Sequence, residues 1–342
     1  MKNYIKMKKL FLSLAFILCF IPATYSNSTI TPTNATTFDG MWGIDIEGGG
    51  VAWLNVHQEQ GFLDAELMWI GGSVVPVSSV YVVDENTLVV TRTEAVKKSD
   101  QRTHIMTYTM RINKIGETIE GVMTAPDWLA SGEKIIPFKG KRMPEMPSTP
   151  DLSKIKFGKE IKLFNGKNMK GWTLMNPESK ALGFKVVDGL LTNNPEQPKD
   201  GKHISYGNIR TDQEFEDFNL KLDVNVPKGD NSGVYLRGLY EIQVADTYGN
   251  ELDSHNMGAL YSRITPSEAA EKPAGEWQTL NITLVDRHVT VIFNGKKIID
   301  NKPVYGPTGG AISSDVLAPG PIYLQGDHGK VSYKNIVLTP IL

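Results

Sequence analysis

The stretch SGVYLRGLYEIQVADTYG, Ser232 to Gly249, alternates with the period of a β-strand. Val234, Leu236, Tyr240, Ile242 and Val244 share one parity, the apolar one. Tyr235, Arg237, Glu241 and Gln243 share the other. One face is therefore suited to a core. The opposite face carries an aromatic ring, a guanidinium, a carboxylate and an amide in one row, more chemistry than a merely solvated face requires. Flanking segments repeat the strand pattern. FEDFNLKLDVNV, WQTLNITLVD, HVTVIFNGKKIID, PIYLQG and VSYKNIVLTPI are rich in β-branched and aromatic residues. The Asn-Gly of FNGK (Phe293–Lys296) signals a hairpin turn, and KGD (Lys228–Asp230) reads the same way. Long strands, hairpin signals and no helical period predict an all-β chain whose C-terminal part is a two-sheet antiparallel β-sandwich of jelly-roll type.

Upstream, residues 38–145 read as shorter strands, among them LDAELMWI, NTLVVTRT and HIMTYTMRI. They predict a small all-β barrel or sandwich, an accessory domain that helps wall a cleft. MPEMPSTP (Met143–Pro150) is proline-rich, which favours extended chain, so a linker is placed at residues 146–155 and the sandwich at 156–342. MKNYIKMKK followed by LFLSLAFILCFIPA and the small residues of ATYSN is the pattern of a secretory signal peptide over residues 1–26, with a polar spacer at 27–37. Export to the periplasm, with no membrane span left after cleavage, is the expectation. The single cysteine, Cys19, lies in that leader, so the mature chain has no thiol for disulfide, nucleophile or metal. With 36 Lys plus Arg against 38 Asp plus Glu, there is no basic excess for a nucleic-acid partner.

Seven segments, in order, resemble the 3-keto-disaccharide hydrolase domain family: LFNGKNMKGW (Leu163–Trp172), EFEDFNLKLDV (Glu214–Val224), DNSGVYLRGLYEIQVADTYG (Asp230–Gly249), MGALYSRITP (Met257–Pro266), KPAGEWQTLNITL (Lys272–Leu284), VIFNGKKIID (Val291–Asp300) and GPIYLQGDHGKVSYKNIVLTPI (Gly320–Ile341). The resemblance implies a fold similar to concanavalin-A-like lectins and glucanases. It also implies cleavage of glycosides already oxidised at C3 of the sugar. A C3 ketone acidifies the proton on C2; a base removes it, the C1 substituent leaves, and water adds to the resulting enone. Such a site needs a base near C2–H, donors for charge on the C3 oxygen, and an acid near the leaving oxygen.

Glu241 is the candidate base. Tyr261 and His328 are candidates for proton donor and relay. Arg237, Gln243, Asp246, Gln325 and His203 are candidates to hold the sugar. The same residues also admit structural roles: Arg237 and Glu241 as a cross-strand ion pair, His328 as a turn residue, Tyr261 as a core tyrosine. No cofactor is required by any motif, and neither GxGxxG nor a P-loop is present. A divalent cation such as Ca²⁺ is compatible with these donors, and no ligand set is assigned. The carbohydrate substrate would have to be oxidised by a separate sugar 3-dehydrogenase. The alternative class is a carbohydrate-binding module on the same sandwich, without turnover.

Overall fold

The structure, a computed structural model, describes residues 36–99, 101–127 and 132–342; the expected leader with Cys19 lies outside them. Among the described residues there is no helix. In the N-terminal part, β1 (Gly40–Ile46), β2 (Val51–Glu59), β3 (Phe62–Trp69), β4 (Val75–Pro76), β5 (Ser79–Asp84), β6 (Thr87–Ser99), β7 (Arg102–Ile115), β8 (Thr118–Pro126) and β9 (Glu133–Arg142) form one antiparallel sheet. Its order is β4-β3-β2-β1-β9-β8-β7-β6-β5. The outer members β3 and β5 approach each other, so the sheet curls toward a barrel. Alternate residues point inward. In β1 these are Trp42, Ile44 and Ile46, which meet Leu54, Leu67, Val90, Met110, Ile112 and Phe138.

The C-terminal part is a sandwich of two sheets. Its strands are β10 (Ile161–Lys162), β11 (Trp172–Leu174), β12 (Ala181–Leu182), β13 (Phe184–Val187), β14 (Leu190–Asn193), β15 (Tyr206–Gly207), β16 (Ile209–Phe215), β17 (Phe218–Asn225), β18 (Asn231–Leu236), β19 (Tyr240–Ala245), β20 (Trp277–Val285), β21 (His288–Phe293), β22 (Lys296–Pro303), β23 (Gly320–Leu324) and β24 (Val331–Pro340). One sheet runs β13-β14-β24-β17-β20-β21-β22, with β10 also on β24; the other runs β11-β16-β23-β18-β19; β12 and β15 belong to neither and pair in parallel as a separate two-stranded ribbon. Leu220, Leu222 and Val224 of the first face Val234, Ile242 and Leu324 of the second across one core. Burying each such aliphatic side chain contributes about 1.5–3 kcal/mol.

The Asn294-Gly295 turn between β21 and β22 has φ of 48° and 84°, the pair of left-handed residues that a two-residue hairpin wants. Lys228–Asp230 does not close a hairpin. It carries the chain from β17 in one sheet to β18 in the other, because β17 is already flanked by β20 and β24. The proline-rich segment is fastened to the sandwich: Arg287 donates to the carbonyls of Pro144 and Glu145, and Asn301 Nδ2 to Pro150 O at 2.9 Å. The edge strand β19 is buried at every position, on both faces. Its core face meets the sandwich. Its other face is roofed by the loop after β22 and by a turn of the N-terminal sheet, and a site is enclosed there.

Candidate active site

The β18–β19 hairpin sets out the floor. Its register places Tyr235 opposite Glu241 and Gly233 opposite Gln243, so the odd-numbered side chains share the face away from the core. Tyr235, Glu241 and Gln243 are nearly inaccessible to solvent, at 1%, 4% and 4%. This row is thus no wet surface. It lies in a depression of about 170 Å³ lined also by Asn208, Asn231, Tyr261, Tyr323, Gln325, Asp327, His328 and the backbone of Gly71, Gly309 and Gly310. Gly233 makes room for the carboxyl group, since a Cβ there would overlap Glu241 Oε1. Gly310, at φ 81°, lies against the Tyr235 and Tyr323 hydroxyls where a side chain would not fit.

The proton inventory centres on Glu241. The Tyr235 hydroxyl lies 2.8 Å from Glu241 Oε2 and 2.8 Å from Gly309 O. One hydroxyl hydrogen cannot serve two acceptors. The network closes when Glu241 is protonated: its O–H donates to the tyrosine oxygen, and the tyrosine O–H donates to Gly309 O. Burial pushes the Glu241 carboxyl up to about 8, against the opposing effects of Tyr235 and His328. Tyr323 stacks on Tyr235 with centroids 3.7 Å apart, and donates to Gly310 O at 2.7 Å. Burial holds both phenols well above their ordinary range.

The second group is the turn after β23. His328 Nδ1 sits 2.7 Å from Asp327 Oδ1. This contact raises the imidazole above its ordinary value, against its own partial burial. Burial acts to raise Asp327, but His328 outweighs it and holds the carboxyl below its usual range. With Nδ1 engaged by Asp327, Nε2 is the ring nitrogen left for a ligand. Asn193, fully buried on β14, donates from Nδ2 to Gly326 O at 3.0 Å and Gly329 O at 2.8 Å, clamping both ends of this turn. Asn231 Oδ1, at the edge of the depression, has no hydrogen-bond partner.

The structure thus brings together Glu241, Gln243, Tyr261, Gln325 and His328. Three other candidates lie elsewhere. Arg237 is not in the row, because β18 ends at Leu236 and Arg237-Gly238 form the hairpin turn, at φ of 56° and 66°. Its guanidinium donates to Val316 O at 2.9 Å and to Ala318 O at 3.1 Å, and it forms no ion pair with Glu241. Asp246 Oδ2 accepts from Gly229 N at 2.9 Å and clips the preceding loop rather than lining the depression. His203 is exposed on a separate loop. Tyr323, Asn208, Asn231 and Asp327 were not anticipated; Tyr323 carries the odd parity within PIYLQG, a signal that was available. Among the described residues no three of His, Cys, Asp and Glu gather as a metal-ligand group.

A larger cavity, about 500 Å³, opens where the N-terminal sheet meets the sandwich, lined by Trp53, Glu66, Arg263 and Tyr305 among others. Arg263 there lies 4.3 Å over the Trp53 ring and donates to Pro307 O. The smaller depression is the candidate active site, because a carboxyl, an imidazole and three phenols converge there.

Residues 159–339 match the 3-keto-alpha-glucoside-1,2-lyase-like domain, and the chain belongs to that family. A curated relative, the 3-keto-disaccharide hydrolase of Bacteroides thetaiotaomicron, is 22% identical over 167 residues, 41% of this chain and 57% of the relative. The chain therefore spans little more than half of that relative's length. Among solved structures, a Parabacteroides distasonis protein described as a candidate glycosyl hydrolase is 27% identical, covering 57% of this chain and 93% of that one at a TM-score of 0.43. The Bacillus licheniformis β-glucanase is 13% identical, covering 54% and 98% at a TM-score of 0.33. The two-sheet architecture stands on this chain's own strand order.

Proposed function

We propose that the protein cleaves 3-keto-glucosides by elimination across C1–C2 followed by hydration. The observation that carries this is one carboxyl, Glu241, sealed in the floor of a polar depression and pushed up to about 8. A carboxylate of that basicity is better matched to taking a carbon-bound proton near neutral pH than an ordinary one. Glu241 takes the proton from C2, and the C2–H electron pair moves toward the C3 oxygen as an enolate. His328, its imidazole favoured in the charged form by Asp327, holds that oxygen, with the Gln243 amide beside it. The enolate then collapses: C3=O re-forms, C1=C2 forms, and the C1–O bond breaks as Tyr261 gives its proton to the leaving oxygen. Water adding at C1, with a proton returned to C2, completes an overall hydrolysis.

The C3 ketone must be made first, so an oxidoreductase acting on the sugar precedes this enzyme. The leader-like residues 1–26 support a place in the periplasm.

A second reading has one observation in its favour. Glu241 is raised and Asp327 lowered, the division of labour an ordinary two-carboxyl glycosidase needs. Nitrophenyl 3-keto-glucoside and its unoxidised counterpart separate the two. Release from the ketone alone, lost in Glu241→Gln, supports elimination. Release from the unoxidised glucoside supports the two-carboxyl route. Tight binding with release from neither identifies a binding module.

A further inference from the structure

We infer that the Ile70–Ser73 turn of the N-terminal sheet is the wall against which the substrate's leaving group rests, Gly71 leaving room for it and Ser73 holding Tyr261. This rests on the function proposed above. The turn lies far outside residues 159–339, yet Gly71 lines the depression beside Tyr261 and Gly309. The N-terminal sheet is therefore part of the site, not an appended module.

The turn is held in place by several contacts. Ile70 sits at φ 56°, which a β-branched residue rarely adopts, and its carbonyl accepts from Gly310 N at 2.9 Å. Gly309 packs so closely on Gly71 and Gly72 that a Cβ would meet their backbone. Val74 N donates to Ser262 Oγ at 2.8 Å, next to Tyr261. A strained, multiply tethered turn at a cleft edge points to a positional role.

Two of its residues face the chemistry. Gly71 is exposed, and a Cβ built on it would meet nothing within 4 Å. No neighbour demands a glycine there, and the residue lines the depression with no side chain of its own. Ser73 Oγ lies 3.0 Å from His255 Nε2 and 3.4 Å from the Tyr261 hydroxyl. The His255 ring meets Tyr261 edge-on, at 5.0 Å and 85°. Serine and histidine together bracket the phenol. With C2 over Glu241, the C1 substituent needs both free volume and a proton donor. Gly71 and Tyr261 line the same depression, so the position without a side chain and the candidate proton donor belong to one cavity.

The test compares Gly71→Val, Ser73→Ala and Ser73→Thr with wild type on three 3-keto-glucosides, whose aglycones are methyl, nitrophenyl and a second glucose. Gly71→Val is expected to raise KM for the disaccharide about tenfold or more while leaving the methyl compound nearly unchanged. Ser73→Ala is expected to lower kcat for the sugar and methyl leaving groups but not for nitrophenolate, which departs without a proton; Ser73→Thr restores it. Should Gly71→Val lower the melting temperature, Gly71→Ala provides the same comparison. Equal effects on all three substrates, or none, would overturn the inference. A wild type inactive on all three would instead defeat the proposed function, so the two failures are distinct.

Discussion

Replacing Glu241 with Gln should make the protein more stable, increasingly so as pH rises. In the folded chain burial lifts this carboxyl from 4.5 to about 8, whereas unfolding returns it to water and its ordinary value. A raised folded pKa contributes stability that is fully present below about 4.5 and lost as pH climbs toward about 8, because the unfolded chain sheds its proton first. At about 1.4 kcal/mol per pH unit, the gap between 4.5 and about 8 is worth on the order of 4–5 kcal/mol. Glutamine has the shape of the protonated acid and no proton to lose, and its amide can donate to the Tyr235 oxygen as the carboxyl O–H does. The two proteins should match within about 1 kcal/mol at the acid end and diverge above it. Urea unfolding of both across pH values from about 4.5 to about 8 reads the difference directly. Stability curves that stay parallel across that range would show that Glu241 does not carry a proton in the folded protein, and the proton inventory of the site would fall with it.

The same Glu241→Gln substitution should lower kcat on a 3-keto-glucoside by roughly 10²–10⁴, the usual value of a general base, and abolish the rising limb near pH 8 in the rate profile. Arg237→Ala should destabilise by about 1–3 kcal/mol, because the buried carbonyl of Val316 and the partly buried one of Ala318 lose their donor, while KM stays unchanged; a large KM effect would return Arg237 to the binding face. Gly233→Ala should displace the Glu241 carboxyl and cost about tenfold or more in kcat, measured beside a thermal melt that shows the fold intact. Asn193→Leu should loosen the Gly326–Gly329 turn and reduce kcat by about tenfold through His328, although Asn193 lines no part of the depression; unchanged kcat would show that the turn holds itself.

Strand periodicity made much of this readable in advance. The even residues Val234, Leu236, Ile242 and Val244 are core, and Tyr235, Glu241 and Gln243 share the opposite face, because parity is a local property of extended backbone. Arg237 broke the rule because parity holds only while the strand lasts; the Arg-Gly pair turns the hairpin, and Gly238 was the signal. The loop Lys228–Asp230 resembles a hairpin turn by composition, but composition cannot say whether the next strand pairs in the same sheet. The remaining lining comes from chain distant in sequence: Asn208 beside β16, Tyr323 on β23, and Gly71 from the other half of the molecule. No window of sequence contains such a meeting. The Asn193 clamp is equally non-local, joining β14 to the turn after β23.

Removal of the C2 proton by Glu241 is the central step of the proposed reaction, and deuterium at that carbon reports on it without an intermediary. A 3-keto-glucoside deuterated at C2 should be turned over more slowly by wild type, and its cleavage products should have lost the label to water. Equal rates for the two isotopologues, with deuterium retained at C2 in the released sugar, would contradict that step.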